Sequence, residues 1–148
     1  MQADQNQEMA FSHLMQECFR INRSLVAAVG QLTNGTEITG AQWGVLGVFG
    51  TADDLLTVAG AARRLGLARQ GVQRVADLLE KKGLIEYRQN PSHRRAKLAQ
   101  VTTAGQNLLN QLQERQSLWA RHAAGELDIQ QVEAATELVR FVGQRLVE

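Results

Sequence analysis

The 148-residue chain reads as a mainly α protein that carries one small β-hairpin. Three features predict this class: apolar residues at steps of three and four near both ends, two helical patterns hinged on a glycine in the middle, and a basic turn between two strand-like stretches. At 44% hydrophobic, the chain can fill one core and is short for two, so residues 1–148 are expected to form a single domain. No apolar run approaches the roughly 18 residues that cross a bilayer. The polar start Met1, Gln2, Ala3, Asp4, Gln5 lacks the basic-then-apolar order of a secretory leader. Cys18 is the only cysteine, which permits no internal disulfide and no cysteine-held metal and fits a reducing cytoplasm.

Taken in order, Phe11, Leu14, Cys18, Ile21, Leu25, Ala28 and Leu32 alternate steps of three and four, the mark of a helix with a seam. Thr39 to Phe49 reads as a helix with Thr39 as its N-cap and Trp43, Leu46 and Val48 or Phe49 turned inward. Gly44, Gly47 and Gly50 recur every third residue along it, roughly on one face, and predict the close approach of another helix. They match neither a G-x-G-x-x-G dinucleotide turn nor a P-loop, so they imply no cofactor. Thr57 to Leu65 reads as a short helix with Val58, Ala61, Ala62 and Leu65 inward. Gly66 supplies a turn, and a second helix runs from about Ala68 to Lys82 and stops at Gly83. A short helix, a glycine turn and a longer helix make a helix-turn-helix. On the second helix Val72, Val75, Leu78 and Leu79 gather on one side, and Arg69, Gln70, Gln73, Arg74 and Asp77 on the other.

A strand over Leu84–Arg88 follows, then a turn over Gln89–Arg95 that holds Pro91, and a returning strand over Ala96–Val101. Thr102 or Thr103 caps the next helix, which runs to about His122 through Leu108, Leu112 and Trp119. In the last helix Val132, Ala135, Val139, Val142 and Leu146 repeat the seam, and Leu138 and Phe141 widen it beyond what one facing helix covers. Terminal helices this apolar, flanking a separate basic segment, predict a homodimer in which each copy covers the other's stripe.

The formal charge of +1 conceals a division. Residues 61–100 hold ten cations against three acids, a net of +7, while the remainder holds six cations against twelve acids, a net of −6. Segregation of this kind points to a polyanion on one face. Arg and Gln on the second helix are the residue types that reach guanine and adenine edges in a major groove. A hairpin that follows such a helix sets its tip, here Arg94 and Arg95 with Lys97 close behind, at the neighbouring groove. The chemistry of catalysis has no counterpart here. His13, His93 and His122 are scattered without metal-ligand spacing, and no serine elbow or carboxylate pair accompanies them.

The run from Leu56 to Gly105, with "TGAQWGVL" before it and "LEKKGLI", "NPSHRRAK" and "VTTAG" inside it, resembles the DNA-binding core of the MarR family of bacterial transcriptional regulators. By position the likeness extends over the terminal helices. It implies a winged helix-turn-helix with long N- and C-terminal dimerisation helices, here 5–33 and 103–147, around a DNA-binding lobe at 39–101. It also implies a homodimer whose two lobes read a palindromic operator in double-stranded DNA. By the same resemblance Arg69, Gln70, Gln73 and Arg74 match the recognition-helix positions, and Arg95 the wing arginine, with Arg94 and Lys97 beside it. Two positions depart from the pattern: His93 stands where the family usually has an aspartate that orients the wing arginine, and Ala68 where a capping serine is common.

The resemblance further implies a small-molecule effector lodged between the dimer helices and the lobe, for which His13, Met15, Arg20 and Trp43 are the candidate lining. Cys18, followed by Phe19, matches the reactive cysteine of peroxide-sensing members. The tyrosines that engage that thiol are absent from the corresponding region, because the one tyrosine, Tyr87, lies in the wing. The alternatives to a ligand-responsive regulator are therefore oxidation sensing through Cys18 and a winged module that binds an acidic protein.

Overall fold

The computed structural model describes the backbone of residues 2–146 and side chains from Asp4 to Leu146; Met1, Val147 and Glu148 lie outside the described residues. Among the described residues six helices and three short strands follow in the order α1 (Gln2–Leu32), α2 (Gly40–Gly50), β1 (Leu56–Thr57), α3 (Val58–Leu65), α4 (Arg69–Lys81), β2 (Ile85–Arg88), β3 (Leu98–Val101), α5 (Thr103–Ala124) and α6 (Ile129–Arg145). The chain divides into two compact units, one running through Gln113 and one starting at Glu114.

Local chemistry sets most of the boundaries in the first unit. Thr39 closes a capping box on α2: its hydroxyl accepts from Gln42 N while the Gln42 side chain accepts from Thr39 N, which satisfies two of the helix's unpaired donors. Thr57 caps α3 with its hydroxyl alone, which accepts from Gly60 N at 3.1 Å. Gly66 ends α3 at φ +64° and Gly83 follows α4 at φ +70°, a left-handed conformation that glycine adopts without a side-chain penalty. Thr102 begins α5, its hydroxyl accepting from Gly105 N at 3.1 Å and donating to Gly83 O at 2.6 Å.

The core of this unit is built by Val45, Leu46 and Phe49 of α2, Val58, Ala61 and Ala62 of α3, Val72, Ala76 and Leu79 of α4, Leu84, Ile85 and Ala99 of the sheet, Leu112 of α5, and Ile38. Trp43 packs against it, as its inward assignment requires. Burying fourteen such side chains is what holds α2, α3 and α4 in fixed register.

Several sequence expectations need correction. The wing is not a lone hairpin: β1 pairs with β3, Leu56 opposite Ala99, giving a three-stranded antiparallel sheet in the order β1-β3-β2. The returning strand starts at Leu98, because Ala96 N is spent on a turn bond to His93 O. Leu78 is 43% exposed, its place on the buried face taken by Ala76. Gly50 does meet another helix, with Leu109 Cδ1 lying 2.5 Å from where its Cβ would stand, but Gly44 and Gly47 have open space there.

In the second unit, α6 contains no buried residue. Asp128 caps it through Gln130 N, and Ile129, Val132, Leu138, Val139, Phe141 and Leu146 are all exposed. In the first unit α1 shows a related pattern, with Phe11, Phe19, Ile21, Leu25 and Val26 exposed and Leu14, Cys18, Ala28 and Leu32 half-buried.

Candidate nucleic-acid interface

Helix α4 offers one side to the core and the other to solvent. Its inner side is Val72, Ala76 and Leu79; on the outer side Arg69, Gln70 and Arg74 are exposed. Ala68 at its N-cap makes no side-chain hydrogen bond, and the first turn is closed by the backbone alone, Gly71 N donating to Ala68 O at 3.1 Å.

Beyond β2 the chain turns through Asn90–Ala96. Asn90 Oδ1 accepts from Ser92 N at 3.0 Å, and Asn90 O accepts from His93 N at 3.2 Å. His93 O then accepts from Ala96 N at 3.1 Å. These successive turns order the tip through Asn90 and the backbone. They present Arg94 and Arg95 to solvent.

Between α4 and the wing lies a groove of about 360 Å³, lined among others by Arg69, Gln73, Tyr87, Arg95 and Lys97. The sequence-derived candidates are thus brought to two adjacent elements. Among the described residues, Arg69, Arg74, Arg94 and Arg95 form no ion pair with an acid, which leaves their charge open to an external anion. Lys97 instead stands over the Tyr87 ring, 5.9 Å from its centre.

Gln73 differs from its neighbours. It is half-buried, and its Nε2 donates to Asp77 Oδ1 at 2.8 Å and to Tyr87 OH at 3.1 Å, while Tyr87 OH donates to Asp77 Oδ1 at 3.0 Å. Burial, and then the hydrogen bond and charge of Asp77, hold the Tyr87 phenol as its neutral form and push its pKa up to about 12. Sequence reading missed Tyr87 as a member of this face. The Gln73–Asp77 spacing of four was a usable signal, but nothing local announces a partner fourteen residues away.

The foot of α4 is also fastened. Lys82 Nζ donates to Glu37 O and, at 3.3 Å, to Gln42 Oε1, which joins it to the loop after α1 and to the capping box of α2. The candidate effector residues have separate settings: His13 and Arg20 are exposed on α1, Arg20 pairs with Glu17 at 3.4 Å, Met15 is half-buried, and Trp43 lies against the lobe core. Cys18 is a free, half-buried thiol on α1.

A sequence profile of the MarR family matches residues 36–96, the span from the loop before α2 to the turn of the wing ahead of β3. The chain belongs to the MarR family. It is similar to an uncharacterized protein of Mycobacterium tuberculosis, 41% identical over 102 residues that cover 69% of this chain and 70% of the relative. Its fold is similar to the crystal structure of a MarR family transcription regulator at a TM-score of 0.84, with 21% identity over 99% of each chain. It is also similar to CouR from Rhodococcus jostii RHA1, a structure bound to p-coumaroyl-CoA, at a TM-score of 0.74 and 21% identity over 83% of this chain and 86% of that one. The protein is a DNA-binding transcriptional regulator of the helix-turn-helix type, and the sheet beside α4 is the wing of its winged helix. No helix among the described residues is long and apolar enough to cross a membrane.

Proposed function

We propose that this MarR-family protein is a homodimeric repressor that acts in the cytoplasm, reads a palindromic operator in double-stranded DNA and lets go of it when a small organic effector binds. The observation that carries the reading is the set of exposed, acid-free cations on two neighbouring elements. Arg69 and Arg74, with Gln70 between them, enter the major groove on α4, and Arg94 and Arg95 reach the adjacent groove from the wing. Lys97 completes the basic rim.

The dimer is supported by α6, which has an apolar stripe and no buried residue. Such a stripe finds its cover in a second copy of itself and of α1. Two lobes related by a two-fold axis then require an inverted repeat in the operator. Effector response is supported by the similarity to CouR, whose structure is bound to p-coumaroyl-CoA. His13, Arg20 and Trp43 are the residues we assign to that binding, with Cys18 on the same helix as His13 and Arg20.

The test is a gel-retardation series with the region upstream of the protein's own gene, run at increasing salt and paired with size-exclusion chromatography. A dimer is expected to retard that fragment with affinity falling steeply as salt rises. A monomer, or a protein that retards no fragment at low salt and binds an acidic protein instead, would overturn the proposal.

A further inference from the structure

The contact among Gln73, Asp77 and Tyr87 constrains what the recognition helix can read. An ionised Asp77 is an acceptor only, so the end of Gln73 that lies 2.8 Å from its Oδ1 must be the amide nitrogen. The Tyr87 hydroxyl spends its proton on Asp77 and offers a lone pair to Gln73. The amide is therefore held with its nitrogen toward the helix–wing junction.

That orientation matters at a base edge. Glutamine reads adenine in two-handed fashion, with Nε2 donating to N7 and Oε1 accepting from N6, and needs both ends side by side at the base. With Nε2 held by Asp77 and Tyr87, only the carbonyl end remains. A carbonyl oxygen finds a donor on the exocyclic amine of adenine or cytosine, but only acceptors on the major-groove edge of guanine and on O4 of thymine.

We propose that Gln73 is a one-handed reader that selects adenine or cytosine at one base of each half-site through Oε1, and that Asp77 and Tyr87 are the positioning residues that impose this choice. The inference rests on the DNA-reading function proposed above. Gln73 lines the same groove as Arg69 and Arg95, and it stands one helical turn from Arg69 on the same side of α4. Tyr87 belongs to β2, with its ring under Lys97, so the wing takes part in base choice without touching the base.

The experiment is selection from a pool of randomised duplexes followed by sequencing, with wild type, Gln73→Ala, Tyr87→Phe and an Asp77→Ala/Tyr87→Phe double variant. Wild type is expected to enrich adenine or cytosine over guanine and thymine at one position per half-site by roughly fivefold, the size of one net hydrogen bond. Gln73→Ala flattens that position alone. Release of the amide in the double variant narrows the preference to adenine, as the two-handed contact becomes available. Tyr87→Phe keeps the ring in place, moves the preference the same way to a smaller extent, and serves if the double variant does not fold.

A purely structural role for the three residues would weaken binding to all sequences and leave the preference unchanged, which overturns the proposal. So does a wild-type preference for adenine alone, guanine or thymine at the position that responds to Gln73→Ala, or the absence of any such position. If wild type enriches no motif at all, the DNA-reading function falls too, and the two failures are thereby distinguished.

Discussion

Gly105 sits where the start of α5 presses on the segment that leaves the recognition helix, so its substitution by alanine tests how closely these elements meet. A Cβ there would run into the Leu84 carbonyl oxygen and stand 2.8 Å from Val101 Cγ1 and 3.1 Å from Leu84 C. Carbon atoms in comfortable contact lie about 3.5–4.0 Å apart. The Val101 side chain can turn aside, but Leu84 O cannot, because it accepts from Thr102 N at 3.0 Å. Relief therefore means moving the first turn of α5 by about an ångström, which strains that bond. Overpacking costs about 1–3 kcal/mol and the weakened hydrogen bond about 1 kcal/mol. The better helix propensity of alanine returns up to about 1 kcal/mol.

The net loss of about 1–3 kcal/mol lowers Tm by roughly 3–10 °C for a chain of this length. Gly71→Ala is the matched control: it lies inside α4, has nothing within 4 Å of a new Cβ, and should raise Tm by about 1–4 °C through propensity alone. Both are read by thermal unfolding followed by circular dichroism, at one protein concentration because the Tm of any chain that self-associates depends on it. If Gly105→Ala is as stable as wild type, or if both variants shift in the same direction, the close approach of α5 to Leu84 is wrong.

Three further outcomes are expected. Arg95→Ala should weaken binding to operator and arbitrary duplex alike and reduce the salt slope by about 2 for a dimer, whereas Arg74→Ala should reduce discrimination between them; equal losses in the Arg74 variant would remove its base-reading role. Tyr87 is the only tyrosine, so a spectrophotometric phenol titration reports it alone. The midpoint should lie near 12, well above 10, and fall in Asp77→Asn. The raised pKa contributes stability that is complete below pH 10 and lost as pH rises from 10 through about 12, measurable as a falling urea midpoint. Val139→Lys, on the exposed stripe of α6, should shift size-exclusion elution toward the monomer; an unchanged elution volume would exclude that stripe from the dimer contact.

Much of this fold was legible because its boundaries are written in local chemistry. Thr39, Thr57 and Thr102 precede helices whose donors they satisfy, and Gly66 and Gly83 follow helices that end in the left-handed region. Strand β1 was not legible, since two residues carry no alternation and acquire their identity only by pairing with β3. Leu78 was misjudged for a simpler reason: at 3.6 residues per turn it lies about 120° from Val72, and the small Ala76 takes the inward place. The cations of the interface could be read from charge segregation. The tethering of Gln73 could not, because it depends on a hydroxyl delivered by the sheet.

Helix α4 is packed along its inner side, but its two ends are fastened differently. Its foot is gripped from two sides, by Lys82 reaching the loop after α1 and by Thr102 bonding Gly83, while its head at Ala68 lacks a cap. Thirteen residues make a rod of about 20 Å, so a tilt of about 5° introduced at the clamp sweeps the opposite tip through about 2 Å. That sweep exceeds the tolerance of a hydrogen bond. Were the chain leaving α1 to shift and tilt the lobe through this clamp, the movement would be geared up along a stiff lever at the far end.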